Sequence, residues 1–587
     1  MNSGRTWIWA AVMLAAVGQV SFGQTPAGQA SSGQNSTQQQ STPPPVFKAT
    51  TRLVTLQVLA RDKQGKPVTG LTAKDFQVYE DVPPKKDKRA QQIADFQAVS
   101  IAQLAAADKG KVQLPAGVYT NLVTLDKKPV PPTVLLIDGL NTSLKVQGQV
   151  HRQMVKMLGT IPQDVPVAVF LLGSRLALLQ DFTTDPALLK AAAAKATSLD
   201  SAGNAEVDPQ DDPEMLSAQL WDVPGAPVAV LQQFERETYA QLMDIRVDLT
   251  LGAFRAIARH LSGYPGRKNL LWVSSSFPIQ LSPDFTSGFA GQRNYDERMV
   301  EVANALSDAK VAVYPLDAGG VEVQASFGAD RAARGGPLTG KSMGATIARQ
   351  DTSRFSKQES MGFLADGTGG RKCVGDNDLA DCVKKSMDDG GSYYELAYYP
   401  DTTNWNGEFH RITVKTTQPG ITLAYRRGYY AAAGTHVTDS AQDAKMSEKE
   451  LRQAACDDLL TSTSLLVVAR AMPSDQPNQA KFYMAIDSKD LTFEPVEGGG
   501  RKLRMASAVC TFDKKGNALQ YFSDRSEQTY TDKEFTEARA KAVPHAIQFP
   551  PAEGTTRVRL VVRDAATAQM GSVDVPYAAA VAAGNKP

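Results

Sequence analysis

The fold is decided by the stretch VLLIDGLNTS, which runs from Val134 to Ser143. Its first four residues are apolar without interruption, and Pro131-Pro132 shortly before them marks the start of a new segment. A strand with one wet face would alternate polar and apolar residues, so this run indicates a strand that is covered on both faces. Such strands belong to parallel sheets that carry helices on both sides.

Three more apolar runs follow and alternate with stretches of helical periodicity. These runs are 165–172, 270–273 and 311–314. The helix that follows the run 165–172 is expected to have Asp185 as its N-cap and Pro186 as its first residue. Strands that are apolar throughout and alternate with helices predict a doubly wound, Rossmann-like α/β domain over residues 131–391.

Two stretches inside this domain interrupt the alternation. Residues 199–227 are acidic and proline-rich, residues 319–350 are rich in glycine, alanine and arginine, and both are expected to be surface loops. The second contains GGPLTGKS at 335–342, which satisfies the P-loop pattern letter for letter. A P-loop follows a buried strand directly, whereas residues 329–334 are polar, and Pro337 has no N–H to offer a phosphate. A flexible loop is therefore favoured over a nucleotide site.

The periodicity changes to two on both sides of the α/β domain. Residues 46–100 form a β unit of about fifty residues, which is thin for an independent domain. We expect it to pair with the alternating strands of 392–430 and close one β-sandwich, with the α/β domain inserted between its strands. Residues 431–448 are expected to be a linker, and residues 449–580 a C-terminal β-sandwich. Arginines alternate with apolar residues over 557–563, which predicts one wet face on that strand.

The composition of the 587-residue chain is that of an ordinary globular protein. Lys+Arg is 63 and Asp+Glu is 62, so the net charge of +1 excludes a basic nucleic-acid binder and an acidic disordered chain. No nucleic-acid partner is expected. The five histidines lie far apart without a local zinc motif, and four cysteines are too few for a disulfide-rich scaffold.

The N-terminus predicts export. Arg5 precedes an apolar run at 7–20, and small residues follow it, so residues 1–23 are expected to be a signal peptide; the alternative is a retained membrane anchor. Cleavage removes Arg5 and no acidic residue, which takes the net charge from +1 to zero. Residues 24–45 are expected to be a disordered linker, and no later stretch predicts a transmembrane segment. The mature chain is therefore expected in the periplasm, in the cell envelope or outside the cell.

Polar residues stand where the carboxyl ends of the strands are expected, and a parallel sheet places its ligands there. Asp138 ends the first strand, Thr183 and Thr184 precede a helix, and Ser274-Ser275-Ser276 follows the strand 270–273. We expect these side chains to converge on one edge of the sheet. A carboxylate and several hydroxyls there would suit a hard cation such as Mg²⁺.

The order of the strands, the strand ending in Asp138 and the segment Phe182-Thr183-Thr184-Asp185-Pro186 resemble the von Willebrand factor type A domain. A closer resemblance is to the von Willebrand factor A-related domain proteins, an exported bacterial group abundant in Acidobacteria. The resemblance covers residues 46–430 and, more loosely, the C-terminal β domain. The segments that carry it are Leu53-Val54-Thr55-Leu56, Pro67-Val68-Thr69-Gly70-Leu71 with Asp75-Phe76, Gly266-Arg267-Lys268-Asn269-Leu270, Ser392-Tyr393-Tyr394-Glu395-Leu396 with Tyr398-Tyr399-Pro400, and Tyr425-Arg426-Arg427-Gly428-Tyr429-Tyr430.

This resemblance implies a metal-ion-dependent adhesion site that binds Mg²⁺ or Mn²⁺. Its metal ligands would be Asp138, Thr142 and Thr183. The site is degenerate, because Leu140 replaces a serine ligand and Ser274-Ser275-Ser276 stands where a second aspartate is expected. The alternative is that Asp138 and Thr183 hydrogen-bond the backbone of the loops. The binding rim around the site would comprise the polar residues Asn141, Ser143, Thr184, Ser274, Ser275 and Ser276.

The four cysteines are expected to form two disulfides in an oxidising compartment. Cys373 and Cys382 are nine residues apart, which permits a bond. Cys456 precedes the first strand of the C-terminal β domain and Cys510 lies within a strand of it. The alternative is free, half-buried thiols.

We expect a non-enzymatic binding or adhesion protein that recognises a protein or a surface polymer through this rim. Gly173-Ser174-Arg175 lacks the second glycine of a nucleophile elbow, and no histidine–carboxylate or cysteine–histidine set is evident. The alternatives are an envelope hydrolase with an unrecognised site and a structural component of an envelope or secretion assembly. The tyrosine-rich segments 393–399 and 429–430 would be an aromatic binding face or sandwich core.

Overall fold

The computed structural model describes most of the chain between residues 53 and 578. The described residues are 53–82, 87–100, 114–123, 131–142, 147–159, 161–162, 164–203, 225, 227–274, 295–317, 360–373, 379–400, 406–432, 441–474, 476, 478–496 and 499–578. The expected signal peptide 1–23, the linker 24–45, the insertion 319–350 and its P-loop-like segment lie outside them, as does most of the insertion 199–227.

Strands and helices alternate only in part of the described ranges, and successive strands stand before and after that part. The strands are β1 Val54–Arg61, β2 Phe76–Val82, β3 Asp87–Gln91, β4 Ile93–Ser100, β5 Val118–Thr120, β6 Thr133–Asp138, β7 Val167–Leu172, β8 Leu176–Thr183, β9 Lys268–Ser274, β10 Val311–Asp317, β11 Ser392–Tyr398, β12 Asn406–Thr416, β13 Thr422–Ala424, β14 Gly428–Ala432, β15 Val467–Met472, β16 Ala480–Asp487, β17 Glu494–Pro495, β18 Arg501–Phe512, β19 Ala518–Tyr530, β20 Ala542–Phe549, β21 Arg557–Asp564 and β22 Met570–Pro576. The helices are α1 Gln147–Leu158, α2 Pro186–Gly203, α3 Val228–Leu261, α4 Asp296–Asp308, α5 Leu379–Asp388, α6 Ala441–Arg452 and α7 Asp532–Ala540, with a further helical segment at 360–368.

The central sheet has the strand order β10-β9-β6-β7-β8. Strands β10, β9, β6 and β7 are parallel, and β8 runs antiparallel to β7 at the edge. The four parallel strands are buried almost throughout, as their uninterrupted apolar runs predict. The strand order reverses at β6, which has β7 on one side and β9 on the other. Strand β6 is therefore the topological switch point of the sheet.

Helices cover both faces of this sheet. Helices α1, α2 and α5 pack on one face through residues such as Met154, Ala193 and Val383. Helices α3 and α4 and the segment 360–368 pack on the other face, where Phe254 contacts the ring of Trp272 edge-on at 5.0 Å. A mixed α/β chain with several sheets is confirmed. In the described ranges, no helix combines the length and apolar composition needed to cross a bilayer.

A first β-sandwich is built from strands on both sides of the parallel sheet in the sequence. Its two sheets have the orders β13-β1-β11-β4 and β14-β12-β2-β3. Val54 of β1 lies opposite Tyr398 of β11, and Val78 of β2 lies opposite Val414 of β12, both in antiparallel register. The inward residues of the two sheets form one apolar cluster, because the period of two places every second side chain on the inner face.

A second β-sandwich lies towards the C-terminus and takes one strand from far upstream. Its sheets have the order β20-β16-β15-β5 and the order β17-β18-β21-β22, with β19 also paired to β18. Strand β5 precedes the parallel sheet in the sequence, yet Thr120 lies opposite Val468 of β15. The Asn121 side chain then donates to the carbonyls of Ser462 and Leu465, both at 2.8 Å. The predicted C-terminal unit 449–580 is therefore incomplete, because the strand β5, Val118–Thr120, also belongs to its sandwich.

Helix α6 corrects two expectations about the second sandwich. It begins at Ala441, inside the expected linker 431–448, and packs with the π-helical segment Gln453–Asp457 on the outer face of β18 and β21. That face was expected to be wet, but Arg559 and Arg563 are each only 3% exposed. Arg559 Nε donates to Asp574 Oδ1 at 2.7 Å, and Arg563 forms a 3.3 Å ion pair with Glu450 of α6. The predicted wet face is therefore covered, and its two buried arginines are each paired with a partly exposed carboxylate.

Candidate functional site

Asp138 ends β6 at the switch point of the parallel sheet, at the edge where the predicted metal site was placed. Its side chain is only 1% exposed. The Asn141 amide Nδ2 donates to both carboxylate oxygens, at 3.1 and 2.9 Å, and the backbone N–H of Asn141 donates to Oδ1 at 3.0 Å. The Asp-Gly-Leu-Asn turn therefore folds back onto its own aspartate.

Two further contacts tie this turn to its neighbours. The indole Nε1 of Trp272 on β9 donates to Asp138 Oδ2 at 2.9 Å. On the side of α3, Asn141 Nδ2 donates to Thr250 Oγ1 at 2.9 Å, and Arg246 donates to the carbonyl of Leu140 at 3.0 Å. The loop after β6 is thus held by the sheet on one side and by α3 on the other.

The electrostatics of Asp138 follow from this enclosure. Burial raises the pKa of Asp138, because desolvation penalises the charged carboxylate, while the hydrogen bonds from Asn141 and Trp272 act in the opposite direction. The ionised carboxylate would be an acceptor for several N–H donors, which is how a buried charge is normally satisfied.

The residues present do not fit a Mg²⁺ or Mn²⁺ ion at this position. N–H groups already point at both oxygens of Asp138, and a hard cation needs those oxygens together with several retained waters. The Thr142 hydroxyl donates to the backbone carbonyl of Asp138 at 2.5 Å. Among the described residues, no three His, Cys, Asp or Glu side chains gather as a metal site.

Thr183, the third predicted ligand, lies at the opposite end of the sheet. Asp138 lies beside Leu172 at the carboxyl end of β7, whereas Thr183 lies beside Val167 at the amino end. Leu172 and Val167 are five residues apart on β7, which corresponds to about 17 Å along the strand. The prediction that Asp138 and Thr183 share one edge is therefore wrong, because β8 runs antiparallel and carries its last residue away from the carboxyl edge.

The segment Phe182-Thr183-Thr184-Asp185-Pro186 is instead a helix start. The backbone N–H of Asp185 donates to Thr183 Oγ1 at 3.1 Å, and Asp185 Oδ1 accepts from the N–H of Ala187 at 2.8 Å. These contacts confirm Asp185 as the N-cap of α2. They place Thr184 beside that cap, away from the predicted rim.

The other rim residues divide into two groups. Asn141 and Ser274 lie at the carboxyl edge, and both are fully buried. Ser143, Ser275 and Ser276 lie outside the described residues. In the part of the chain that is described, the carboxyl edge is therefore a buried polar base rather than an open cluster of hydroxyls.

Both predicted cysteine pairs are at disulfide distance. The Cα–Cα separation is 6.2 Å for Cys373 and Cys382 and 5.4 Å for Cys456 and Cys510. In the first pair, Cys373 forms an isolated bridge with Leu316 of β10, and Cys382 lies in α5. In the second pair, Cys456 lies in the π-helical segment after α6, and Cys510 lies in β18. Persistent disulfides are typical of proteins in oxidising compartments outside the cytosol.

A buried polar cluster in the first sandwich was missed by sequence reasoning. Glu80 is fully buried, and its carboxylate contacts His410 Nδ1 at 2.5 Å, the Tyr398 hydroxyl at 2.9 Å and the Tyr429 hydroxyl at 3.0 Å. The signal was present, because Glu80 follows Phe76 and Val78 at every second position and so falls on the inner face. Of the predicted tyrosines, Tyr399 is 51% exposed, and the other described ones are buried: Tyr393, Tyr394, Tyr398 and Tyr429. The described tyrosines are therefore mainly sandwich core rather than an open aromatic face.

One serine–histidine contact bears on the alternative of a hydrolase. His545 Nε2 lies 2.8 Å from Ser507 Oγ, and Asp524 lies opposite Ser507 on the next strand. Ser507 is 1% exposed and sits in the regular strand β18, whose neighbours β19 and β21 flank it. A nucleophile needs an exposed oxygen beside free N–H donors. This contact therefore has a packing role in the second sandwich.

Comparison with known proteins gives fold-level similarity alone. No protein-family model matches the chain, and no curated protein matches it in sequence. The solved structures that resemble it include von Willebrand factor A-type domains: a von Willebrand factor type A protein from Catenulispora acidiphila, with 10% identity, a TM-score of 0.21 and coverage of 62% of this chain and 80% of that one.

Two other solved structures are similar at the same level. One is an aerotolerance-related membrane protein from Bacteroides fragilis, with 11% identity, a TM-score of 0.23 and coverage of 44% of this chain and 98% of that one. The other is the manganese-loaded TRAP protein from Plasmodium vivax, with 9% identity, a TM-score of 0.20 and coverage of 53% and 96%. Because these scores are low, the architecture of this chain rests on its own strand order and register.

Proposed function

We propose that this chain is an exported, non-enzymatic binding protein that recognises a protein or a surface polymer at the carboxyl edge of its parallel sheet. The observation that supports the proposal is the reversal of strand order at β6. Strand β6 is followed by α1 on one face of the sheet and β9 is followed by α4 on the other face. Open α/β sheets bind their ligands in the crevice at such a point.

The hydrogen bonds beneath this edge suit a binding surface. Asn141 fixes the turn after β6 to Asp138, and Arg246 holds the carbonyl of Leu140 from α3. A loop that is ordered before binding loses less conformational entropy when its partner arrives. The polar residues Ser143, Ser275 and Ser276 follow directly from these held positions in the sequence. The proposed contact surface therefore comprises 139–143 and 274–276.

The proposed recognition does not depend on a divalent cation. Adhesion through a metal requires an open carboxylate, and the carboxylate of Asp138 is enclosed by Asn141 and Trp272. We therefore assign Asp138 to holding the rim in place. The proposed location outside the cytosol is supported by the two disulfide pairs and by the signal-peptide pattern of residues 1–23.

The test is affinity capture from the native cell envelope with the mature chain as bait. Ser143→Lys and Ser275→Lys place a long cation on the proposed surface, and Thr184→Lys makes the same change at the opposite end of the sheet. A partner that is retained by the wild type and by Thr184→Lys, but lost by both rim variants, supports the proposal. A partner bound equally by all four proteins, or a small molecule that the chain converts, overturns it.

A further inference from the structure

Strand β19, Ala518–Tyr530, is an open edge of the second sandwich. It pairs with β18 on one side, and among the described residues no strand pairs with its other side. The strand is 13 residues long, whereas an average strand has about five to six residues and natural proteins commonly keep their edge strands short. Its outer row of backbone N–H and C=O groups is therefore available to a further strand.

The middle of this strand is exposed on both faces as well as along its edge. Every residue from Ser523 to Thr529 except Ser526 is exposed. The register with β18 is regular from Gln520 to Tyr530, and neither a proline nor a bulge interrupts it there. Two of the devices that normally protect an edge strand from pairing are therefore absent from this segment.

The charges of this segment form a self-complementary pattern. Arg525 and Glu527 are two residues apart, so they lie on the same face, which α6 contacts through the carbonyl of Ala444. Arg525 lies 3.8 Å from Glu448, and Glu527 forms a 2.6 Å ion pair with Lys502. Because the Arg525 and Glu527 side chains are still 56% and 54% exposed, each can take a second partner of opposite charge.

A two-fold axis through Ser526, perpendicular to the sheet, brings these charges together between two copies of the chain. Antiparallel pairing about such an axis places residues that are equally far from it opposite each other and on the same face. Arg525 of each copy then lies opposite Glu527 of the other, which gives two ion pairs. On the second face Asp524 lies opposite Gln528, whose amide N–H can donate to the carboxylate.

An axis through a neighbouring residue is less favourable. An axis through Asp524, Arg525 or Glu527 places two identical charges opposite each other, which is destabilising. Among the four residues from Asp524 to Glu527, Ser526 alone avoids this conflict, and its small side chain lets the two strands approach. The order of the charges therefore selects one register for the pairing of β19 with itself.

We propose that this chain forms a homodimer in which the β19 strands of two copies pair antiparallel about Ser526 and join their sheets into one. The paired segment is 522–530 of each copy. Backbone hydrogen bonds supply most of the affinity, as in other interactions that add a strand to a sheet edge, and the charged pairs fix the register. Each copy covers the open β19 edge of the other, so this contact is closed at two copies.

The first test is the oligomeric state of the full chain, measured by sedimentation velocity over a dilution series. We expect a monomer–dimer equilibrium. Arg525→Glu places like charges opposite each other at two symmetric positions, and Glu527→Arg does the same, so each should raise the Kd of the dimer at least about tenfold. Combining the two substitutions restores opposite charges and should return the Kd towards that of the wild type.

The control for these variants is Glu553→Arg, an equal change of charge at an exposed position outside β19. It should leave the Kd of the dimer unchanged. A wild type that stays monomeric at every concentration overturns the proposal. A dimer that forms equally well in the wild type and both single variants also overturns it, as does a double variant that associates as weakly as the single ones.

A cysteine on the axis tests the register directly. Ser526→Cys sets two thiols opposite each other, where the Cα atoms of antiparallel strands lie about 4.5–5.5 Å apart, within the range of a disulfide. Mild oxidation should therefore give a covalent dimer that a reducing agent splits, and the native cysteines are already paired within the chain.

Ser523→Cys is the matched control for the covalent dimer. Residue 523 lies three positions from the axis, so its two copies are six positions apart, about 20 Å along the strands. We expect no covalent dimer from this variant. Oxidation that links both variants equally, or that fails to link Ser526→Cys, contradicts pairing about Ser526.

Discussion

The indole N–H of Trp272 donates to the carboxylate of Asp138 across two adjacent parallel strands, at 2.9 Å. This bond joins the carboxyl ends of β9 and β6 at the switch point, and Asn141 satisfies the rest of the same carboxylate. The aspartate at the candidate binding edge is therefore an internal acceptor that holds the edge together. Removing this carboxylate should therefore lower the stability of the folded chain, whether or not divalent cations are present.

We expect Asp138→Ala to lower the free energy of unfolding by about 2–4 kcal/mol, because the N–H groups of Asn141 and Trp272 lose the buried carboxylate that accepts their hydrogen bonds. Urea unfolding with and without millimolar Mg²⁺ or Mn²⁺ measures this. The wild-type midpoint should not move when either ion is added. A wild-type midpoint that rises with metal, while that of Asp138→Ala stays fixed, would show that a cation uses this carboxylate.

The buried carboxylate Glu80 makes a second stability prediction. Burial and the neighbouring Glu80 raise the pKa of Tyr398, so this tyrosine stays a neutral donor to the carboxylate. Glu80→Gln should lower the free energy of unfolding by about 3 kcal/mol or more, because it removes the buried carboxylate that His410, Tyr398 and Tyr429 contact. Chemical denaturation measures the loss, and Glu553→Gln at an exposed position is the control. Equal midpoints for the two variants would argue against a satisfied cluster.

Lys268 should make stability depend on pH. It is 1% exposed, its Nζ donates to the carbonyl of Tyr264 at 2.9 Å, and burial, with a smaller effect from Lys310, lowers its pKa to about 7. The unfolded chain keeps this proton up to the ordinary lysine value of 10.5. Between these values the unfolded state binds more protons than the folded state, so the free energy of unfolding rises with pH.

Replacing this lysine should remove that dependence. Lys268→Met is expected to be more stable than the wild type below about pH 7, where the wild type must bury the charged ammonium, and the advantage should shrink towards higher pH. Urea midpoints over this pH interval, with the exposed Lys63→Met as control, measure the difference. A constant offset between wild type and Lys268→Met at every pH would exclude titration of the buried amine.

The two disulfides should differ in how much they stabilise the chain. The Cys456–Cys510 bond closes a loop of 54 residues and the Cys373–Cys382 bond a loop of 9. Chain entropy assigns about 4 kcal/mol to the longer loop and about 2.5 kcal/mol to the shorter one. Replacing each pair by serines and comparing unfolding free energies tests the order. The reverse order would mean that packing around the shorter loop outweighs its closure entropy.

Gly370 makes a steric prediction. A Cβ at this position would lie 1.9 Å from the backbone carbonyl oxygen of Val313 on β10, a distance that cannot be relieved by turning a side chain. Gly370→Ala should therefore displace the edge of the parallel sheet and prevent stable folding. Gly173→Ala is the control, because no atom lies within 4 Å of its Cβ position. A soluble Gly370→Ala protein with a wild-type melting curve would contradict this close approach.

Sequence patterns predicted the parallel sheet well, because burial on both faces leaves a direct mark. The apolar run Val134–Ile137 and its counterparts at 270–273 and 311–314 lie in strands, and the run 165–172 begins two residues before its strand. Asp185 and Pro186 likewise identify the start of α2, since capping depends on neighbours in the chain.

The candidate site was predicted less well because its geometry is not local. Whether Thr183 lies beside Asp138 depends on the direction of β8 relative to β7. The residues of β8 do not indicate whether that strand runs parallel or antiparallel to its neighbour. The enclosure of Asp138 depends on Trp272, which is 134 residues away in the chain. The ion pair of the buried Arg563 depends on Glu450 of α6, a helix whose polar composition suggests a linker.

Strand β5 has a consequence for any attempt to divide the protein. After the first sandwich, the chain contributes Val118–Thr120 to a sheet whose other strands, β15, β16 and β20, all lie beyond residue 466. Only then does it enter the parallel sheet. A fragment that begins at Ala441 would expose the unpaired edge of β15, and open strand edges recruit foreign chains. Because β5 joins the second sandwich from a distant part of the sequence, fragments cut at the apparent boundaries separate β15 from its partner strand.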